Sequence, residues 1–297
     1  MTKDHSNKRI FIGGTGRSGT SVLLRALIRA KDTIGYYEPQ FLAHKRGFFQ
    51  VGKKETVGVY RDLLQRYFWD KIRHAYARAH KNKNGEAVEK YTQENIMHAF
   101  DYANSDREFV ENIYKIAGYP NIVHKQPHIV RYVDKIEKMF PEMKFIHTIR
   151  DPKDIAVSTY VQNWGANNVW QFIDMYKEVM GDALKSYKLI DPKNYLVVSV
   201  EKLVEEPTET YEKIKEFTGL DYEVEKLTKS VKSKEDANVG RGSALTDREI
   251  ELIERECYPL YKQFLELESH GIYSEYLEAE MKKAKKKLQE ALENDII

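Results

Sequence analysis

One short stretch, Arg9-Ile10-Phe11-Ile12-Gly13-Gly14-Thr15-Gly16-Arg17-Ser18-Gly19-Thr20-Ser21, constrains the fold more than any other part of the chain. Ile10, Phe11 and Ile12 form an apolar run of the length and type expected for a strand covered on both faces. Gly13, Gly14, Gly16 and Gly19 then permit the tight turns and close backbone approach of a strand-to-helix loop. Thr20 opens a helix predicted to run through Lys31, with Leu23, Leu24, Leu27 and Ile28 on one face. The first-turn N–H groups of that helix lack intrahelical acceptors and point back into the loop, where hydrogen bonding and the helix dipole together attract an anion.

The spacing from Gly14 to Ser21 fits the phosphate-loop pattern Gly-x-x-x-x-Gly-x-[Ser/Thr], except that Thr20 stands where a nucleotide triphosphatase carries lysine. The cation inside the loop is Arg17, whose planar fork can grip an oxyanion bidentately. That substitution argues against ATP or GTP hydrolysis. A ligand-free glycine turn is the plain alternative.

The chain has 297 residues, enough for a sizeable single α/β core. Its hydrophobic fraction of 41% and charged fraction of 32% are those of a globular protein, and a net charge of +2 gives no reason to expect nucleic-acid binding. Cys257 is the sole cysteine, which excludes an internal disulfide. The polar first eight residues leave no room for a secretory signal, and no apolar run is long enough to span a bilayer. A soluble, cytoplasmic enzyme is the expectation.

Further strands are predicted at Thr33–Tyr37, Ile122–Lys125, Lys144–Ile149 and Tyr195–Val200, each followed by polar or helical sequence. Alternation of this kind implies a parallel sheet with right-handed crossovers. Three charged residues then fall at carboxyl ends of strands, where open α/β sheets bind ligands: Glu38, Lys125 and Arg150. Ser158 follows about one and a half turns into the next helix, placed to meet a second anion with Arg150.

Between Phe41 and Lys83 the chain is rich in aromatic and basic residues, including a helical stretch at Val59–His80 that carries Arg66, Lys71, Arg73 and Arg78. Helices are predicted at Thr92–Ala103, Asp106–Ala117, Trp170–Leu189, Thr208–Thr218 and Asp247–Leu267. A polar loop at Val231–Ala244 carries Gly240-Arg241-Gly242, which reads as a flexible lid, a further phosphate contact or an ordinary exposed loop. The segment Glu278–Glu293, with five lysines within 282–287, reads as a surface or homodimer-contact helix.

Two of these motifs together resemble the sulfotransferase superfamily, which uses 3′-phosphoadenosine 5′-phosphosulfate (PAPS). Gly14–Ser21 is similar to its 5′-phosphosulfate loop, and Ile149-Arg150-Asp151-Pro152-Lys153-Asp154-Ile155-Ala156-Val157-Ser158 to its 3′-phosphate motif. Val200-Glu201-Lys202-Leu203 with Pro207, and Phe217-Thr218-Gly219-Leu220, resemble further landmarks, so the similarity runs from about Arg9 to Phe264. Arginine in the loop is nearer the bacterial and protein-tyrosine branches than the small-molecule cytosolic one. The tryptophan often found near the family's late Arg-Gly segment is missing here.

The resemblance implies a single three-layer domain of phosphate-loop type, with about five parallel strands flanked by helices and a helical C-terminal part. It would occupy residues 1–267, with an acceptor-side helical region at about 41–117 and a Lys-rich extension at 268–297. It implies Arg17, Glu38 and Lys125 as the catalytic group, Glu38 taking the acceptor proton. Donor contacts would come from Gly16, Arg17, Ser18, Gly19, Thr20, Ser21, Arg150, Ser158, Arg241 and Gly242. No metal is implied. The acceptor class stays open among small molecules, sugars, lipids and peptides. His124 and His128, flanking Lys125, are the alternative bases. A small-metabolite kinase and a catalytically silent nucleotide-binding module are the competing functions.

Overall fold

The computed structural model describes residues 7–39, 42–44, 47–48, 90–229, 231 and 239–269. The predicted helix at Val59–His80 with its four basic residues and the segment Glu278–Glu293 lie outside them.

Five parallel strands form the central sheet: β1 (Arg9–Gly14), β2 (Thr33–Tyr37), β5 (Asn121–Lys125), β6 (Lys144–Ile149) and β7 (Tyr195–Ser199), in the spatial order β2-β5-β1-β6-β7. A separate two-residue hairpin, β3 (Ala43–His44) and β4 (Gly47–Phe48), follows β2. The chain order reverses direction across β1, so the loop after β1 opens at the switch point of the sheet, where such folds place ligands.

Side chains alternate along β1 because successive strand residues face opposite sides of a sheet. Ile10 and Ile12 join one apolar cluster with Val123, Ile146, Leu196 and Val198. Helices α1 (Thr20–Leu27), α8 (Pro207–Thr218) and α9 (Val224–Thr228) cover that face. Phe11 joins the other cluster, built with α2 (Gln93–Asp101), α3 (Asp106–Ala117), α4 (Val133–Met139), α6 (Val169–Tyr187) and α10 (Asp247–Ser269). Burying Leu23, Leu24 and Leu27 completely against the sheet stabilises α1 by roughly 1.5–3 kcal/mol each. The result is the expected three-layer α/β domain.

Two of the boundaries that differ from the sequence reading have a clear local cause. Helix α1 ends at Leu27 rather than Lys31, because Arg29 and Ala30 donate to Ala26 and Leu27, three residues back, and tighten the chain into a turn. Strand β7 stops at Ser199 rather than Val200. The Ser199 hydroxyl accepts the Lys202 N–H at 3.2 Å, an N-cap that starts helix α7 (Val200–Glu205) at once. Helices α4, α7 and α9 were not predicted; each is no longer than seven residues, too short for a periodic pattern to declare itself. Among the described residues no helix is long and apolar enough to cross a membrane.

Candidate active site

The loop between β1 and α1 turns on Gly19, the cap of α1, at φ 81°. A side chain there would be strained, and a Cβ would lie 2.6 Å from Val200 Cγ2, so glycine is required on both counts. Having no side chain, Gly19 leaves the first-turn N–H groups of α1 directed into the loop. Ser18 serves the loop itself: its hydroxyl donates to the Thr15 carbonyl at 2.7 Å, lies 3.0 Å from the Thr148 hydroxyl, and is fully buried. Its hydroxyl therefore shapes the loop.

Arg17 and Glu38 both adopt positive φ, 71° and 54°; among the described residues Asp32 is the only other non-glycine to do so. Such backbone costs on the order of 1–3 kcal/mol and clusters at functional sites. Two of the three predicted catalytic residues are thus held in an unfavourable conformation by the fold around them.

Glu38 meets Lys125 through strand register. Tyr37 is directly opposite Lys125 in the β2–β5 ladder, and the next N–H, that of Glu38, donates to the Lys125 carbonyl at 2.7 Å. Their side chains form an ion pair in which the lysine is 1% exposed and the glutamate 36%. The ammonium also lies 3.9 Å from the centre of the Tyr37 ring, a cation–π contact. Ser21, at the start of α1, donates to the Tyr37 hydroxyl at 3.0 Å and so ties this group to the anion loop. Tyr37 was not singled out from the sequence; only its register opposite Lys125 reveals it.

A second cluster lies beside it. Arg17 Nε donates to Ser158 Oγ at 2.8 Å, and the Arg150 guanidinium reaches the Arg17 carbonyl at 3.4 Å and the Asp154 carboxylate at 3.2 Å. Helix α5 (Pro152–Tyr160) presents both Asp154 and Ser158, with Asp151 as its cap. Asp151 is fixed in turn: its N–H donates to Glu201 at 3.0 Å, and its carboxylate accepts the Tyr258 hydroxyl at 2.7 Å. Burial raises the Glu201 carboxyl above its ordinary value. That contact gives the Val200–Leu203 landmark a physical role, since Glu201 holds the Arg150-Asp151 turn in place. The Gly240-Arg241-Gly242 segment packs on the same helix, with Gly242 buried and Arg241 exposed.

Of the predicted residues, Arg17, Arg150 and Ser158 converge on one another, Glu38 and Lys125 form their own pair, and Gly242 approaches the Arg150 cluster through Asp154. Gly16, Thr20 and Ser21 complete the loop. His124 belongs elsewhere. It is fully buried, with its Nδ1 3.0 Å from the Tyr114 hydroxyl, and burial lowers its pKa to about 3. A ring sealed inside the core cannot reach an acceptor. His128 lies half-buried in the 3₁₀ turn Pro127–Tyr132. Among the described residues no group of His, Cys, Asp and Glu side chains is arranged to hold a metal.

Comparison with known proteins bears on the family and the fold. An Aquifex aeolicus (strain VF5) protein, named only as uncharacterized, is 26% identical over 230 residues, which is 74% of this chain and 27% of that protein. The chain therefore spans about a quarter of that relative's length. The sulfotransferase domain of the Synechococcus PCC 7002 olefin synthase superposes with a TM-score of 0.57 at 18% identity, over 86% of this chain and 97% of that one, and shares its fold. The model of the Sulfotransferase family matches residues 9–224, a span that contains the glycine loop, both strand-end cations and Ser158, and the chain belongs to that family.

Proposed function

We propose that the protein transfers a sulfuryl group from PAPS to a hydroxyl or amine of an acceptor, with Glu38 as base. The observation that carries this reading is the Glu38–Lys125 pair at the carboxyl edge of the sheet, joined through Tyr37 and Ser21 to the glycine loop. The donor set suits a polyanion: Arg17, Arg150 and Lys125, the hydroxyls of Thr20, Ser21 and Ser158, and a helix N-terminus. When bound, PAPS supplies a sulfuryl group on a phosphate leaving group.

Glu38 accepts the proton as the acceptor oxygen or nitrogen forms its bond to sulfur, which requires hydrogen-bond reach of about 3 Å. Lys125, beside Glu38 and against the Tyr37 ring, stabilises negative charge on the sulfuryl and bridging oxygens. Arg17 does the same from the loop. As the bond between sulfur and the bridging oxygen breaks, that charge passes to the departing phosphate, which the N-terminus of α1 and the cations hold. Preorganised donors of this kind are each worth about 10²–10³ in rate.

The test is transfer of radiolabelled sulfate from PAPS, without divalent metal, to a panel of phenols, sugars, lipid headgroups and tyrosine peptides. Labelled product that disappears with Lys125→Ala supports the reading. ATP turnover that requires magnesium, with no sulfate transfer, would replace it with a kinase.

A further inference from the structure

Asp154 has no place in the chemistry above, yet the residue is 2% exposed and its carboxylate bonds both Arg150 and the 239–245 segment. Oδ2 accepts from the Arg150 guanidinium at 3.2 Å and from the Gly240 N–H at 2.8 Å, and Oδ1 accepts from the Gly242 N–H at 2.9 Å. A charge this deeply buried is unfavourable unless it is paired and hydrogen-bonded, and here it draws partners from 86 and 88 residues away. The backbone it captures sits tight on α5: a Cβ at Gly242 would lie 2.6 Å from Lys153 Cβ. Arg241, between the two anchored amides, is left exposed at the edge of the cluster.

We propose that Asp154 is a positioning residue for the donor, a clamp that fixes the 239–245 segment and the Arg150 guanidinium around the nucleotide's 3′-phosphate. The inference rests on the PAPS reading. One carboxylate orients both arginines, Arg150 directly and Arg241 through its neighbours' amides. Asn at this position keeps the shape but removes the charge and turns one acceptor into a donor, so a glycine N–H loses its partner. Electrostatics alone predicts the opposite result, because deleting a negative charge beside a phosphate site should tighten binding. The sign of the change therefore separates positioning from charge.

The full chain and its Asp154→Asn and Gly242→Ala variants would be titrated with adenosine 3′,5′-bisphosphate and with adenosine 5′-monophosphate, and amide hydrogen exchange followed over 239–245. The expected result for Asp154→Asn is a loss of bisphosphate affinity of about ten- to a hundredfold, the range for hydrogen bonds to a charged group. Monophosphate affinity should stay within about threefold, and exchange should quicken at Gly240 and Gly242. Gly242→Ala should reproduce the loss by pushing the segment off Lys153. Unchanged or tighter bisphosphate binding by Asp154→Asn overturns the clamp. Should that variant not fold, Gly242→Ala decides: a kept preference for bisphosphate overturns the proposal, a lost one supports it. A wild-type protein with no such preference overturns the PAPS reading instead; exchange then judges the clamp alone, and unchanged exchange overturns it.

Discussion

The two halves of the site are built by different means. The anion half, around Arg17, Arg150 and Ser158, joins two motifs that are each local in sequence, a glycine turn feeding one helix start and a strand end running into another helix, and the pairing of β1 with β6 brings them together across 133 and 141 residues. The proton half, Glu38 and Lys125, joins positions 87 residues apart and exists only because β2 lies next to β5 in one register. A one-residue slip of that ladder would turn alternate side chains to the other face and separate the pair, while leaving the anion half intact. The anion half thus rests on the β1–β6 pairing and the proton half on the β2–β5 pairing, so the two should be separable by mutation.

The sharpest way to break this division is Glu38→Gln. General-base catalysis is worth about 10²–10⁴ in rate, and turnover should fall by that much while bisphosphate affinity holds within about threefold. Single-turnover kinetics beside equilibrium binding checks both. Retained turnover, or turnover lost only with His128→Ala, would move the base away from Glu38.

A smaller effect tests what the halves share. Strand β5 hides His124 behind the proton half, and β6 hides His147 behind the anion half; burial lowers both pKa values to about 3. The ordinary value is about 6.5, so the unfolded chain binds more protons between those limits. Stability is therefore fully present above about pH 6.5 and declines as pH falls, by up to about 1.4 kcal/mol per pH unit for each histidine. Denaturant midpoints at pH 7.5 and 5.5 measure the slope, and His147→Gln should flatten it. A variant with the wild-type slope would show that His147 titrates normally.

The same contrast explains what the sequence disclosed. The glycine loop and the Arg150–Ser158 motif were legible because their spacing alone implies a helix N-terminus and a strand-end cation. The five strands were legible as apolar runs, and β2 and β6 match the predicted bounds. Glu38 was placed at a strand end by pattern, but its grouping with Lys125 came only from the family resemblance, because their pairing depends on a strand order that spacing does not disclose. Tyr37, Asp154 and the Glu201–Asp151 contact were not legible. Each acts through a partner on another element, and an aromatic strand residue, an acidic first turn and a glutamate after a strand are all commonplace.

Calorimetric titration of adenosine 3′,5′-bisphosphate, without magnesium, into the wild type, Glu38→Gln and Arg150→Ala would test the separation of binding from chemistry most directly, with circular dichroism to confirm that each variant is folded. The wild type and Glu38→Gln should bind within about threefold of each other, and Arg150→Ala at least about tenfold more weakly, since it loses a charged hydrogen-bond donor. Equal losses in both variants, or a wild type that prefers ATP, would contradict it.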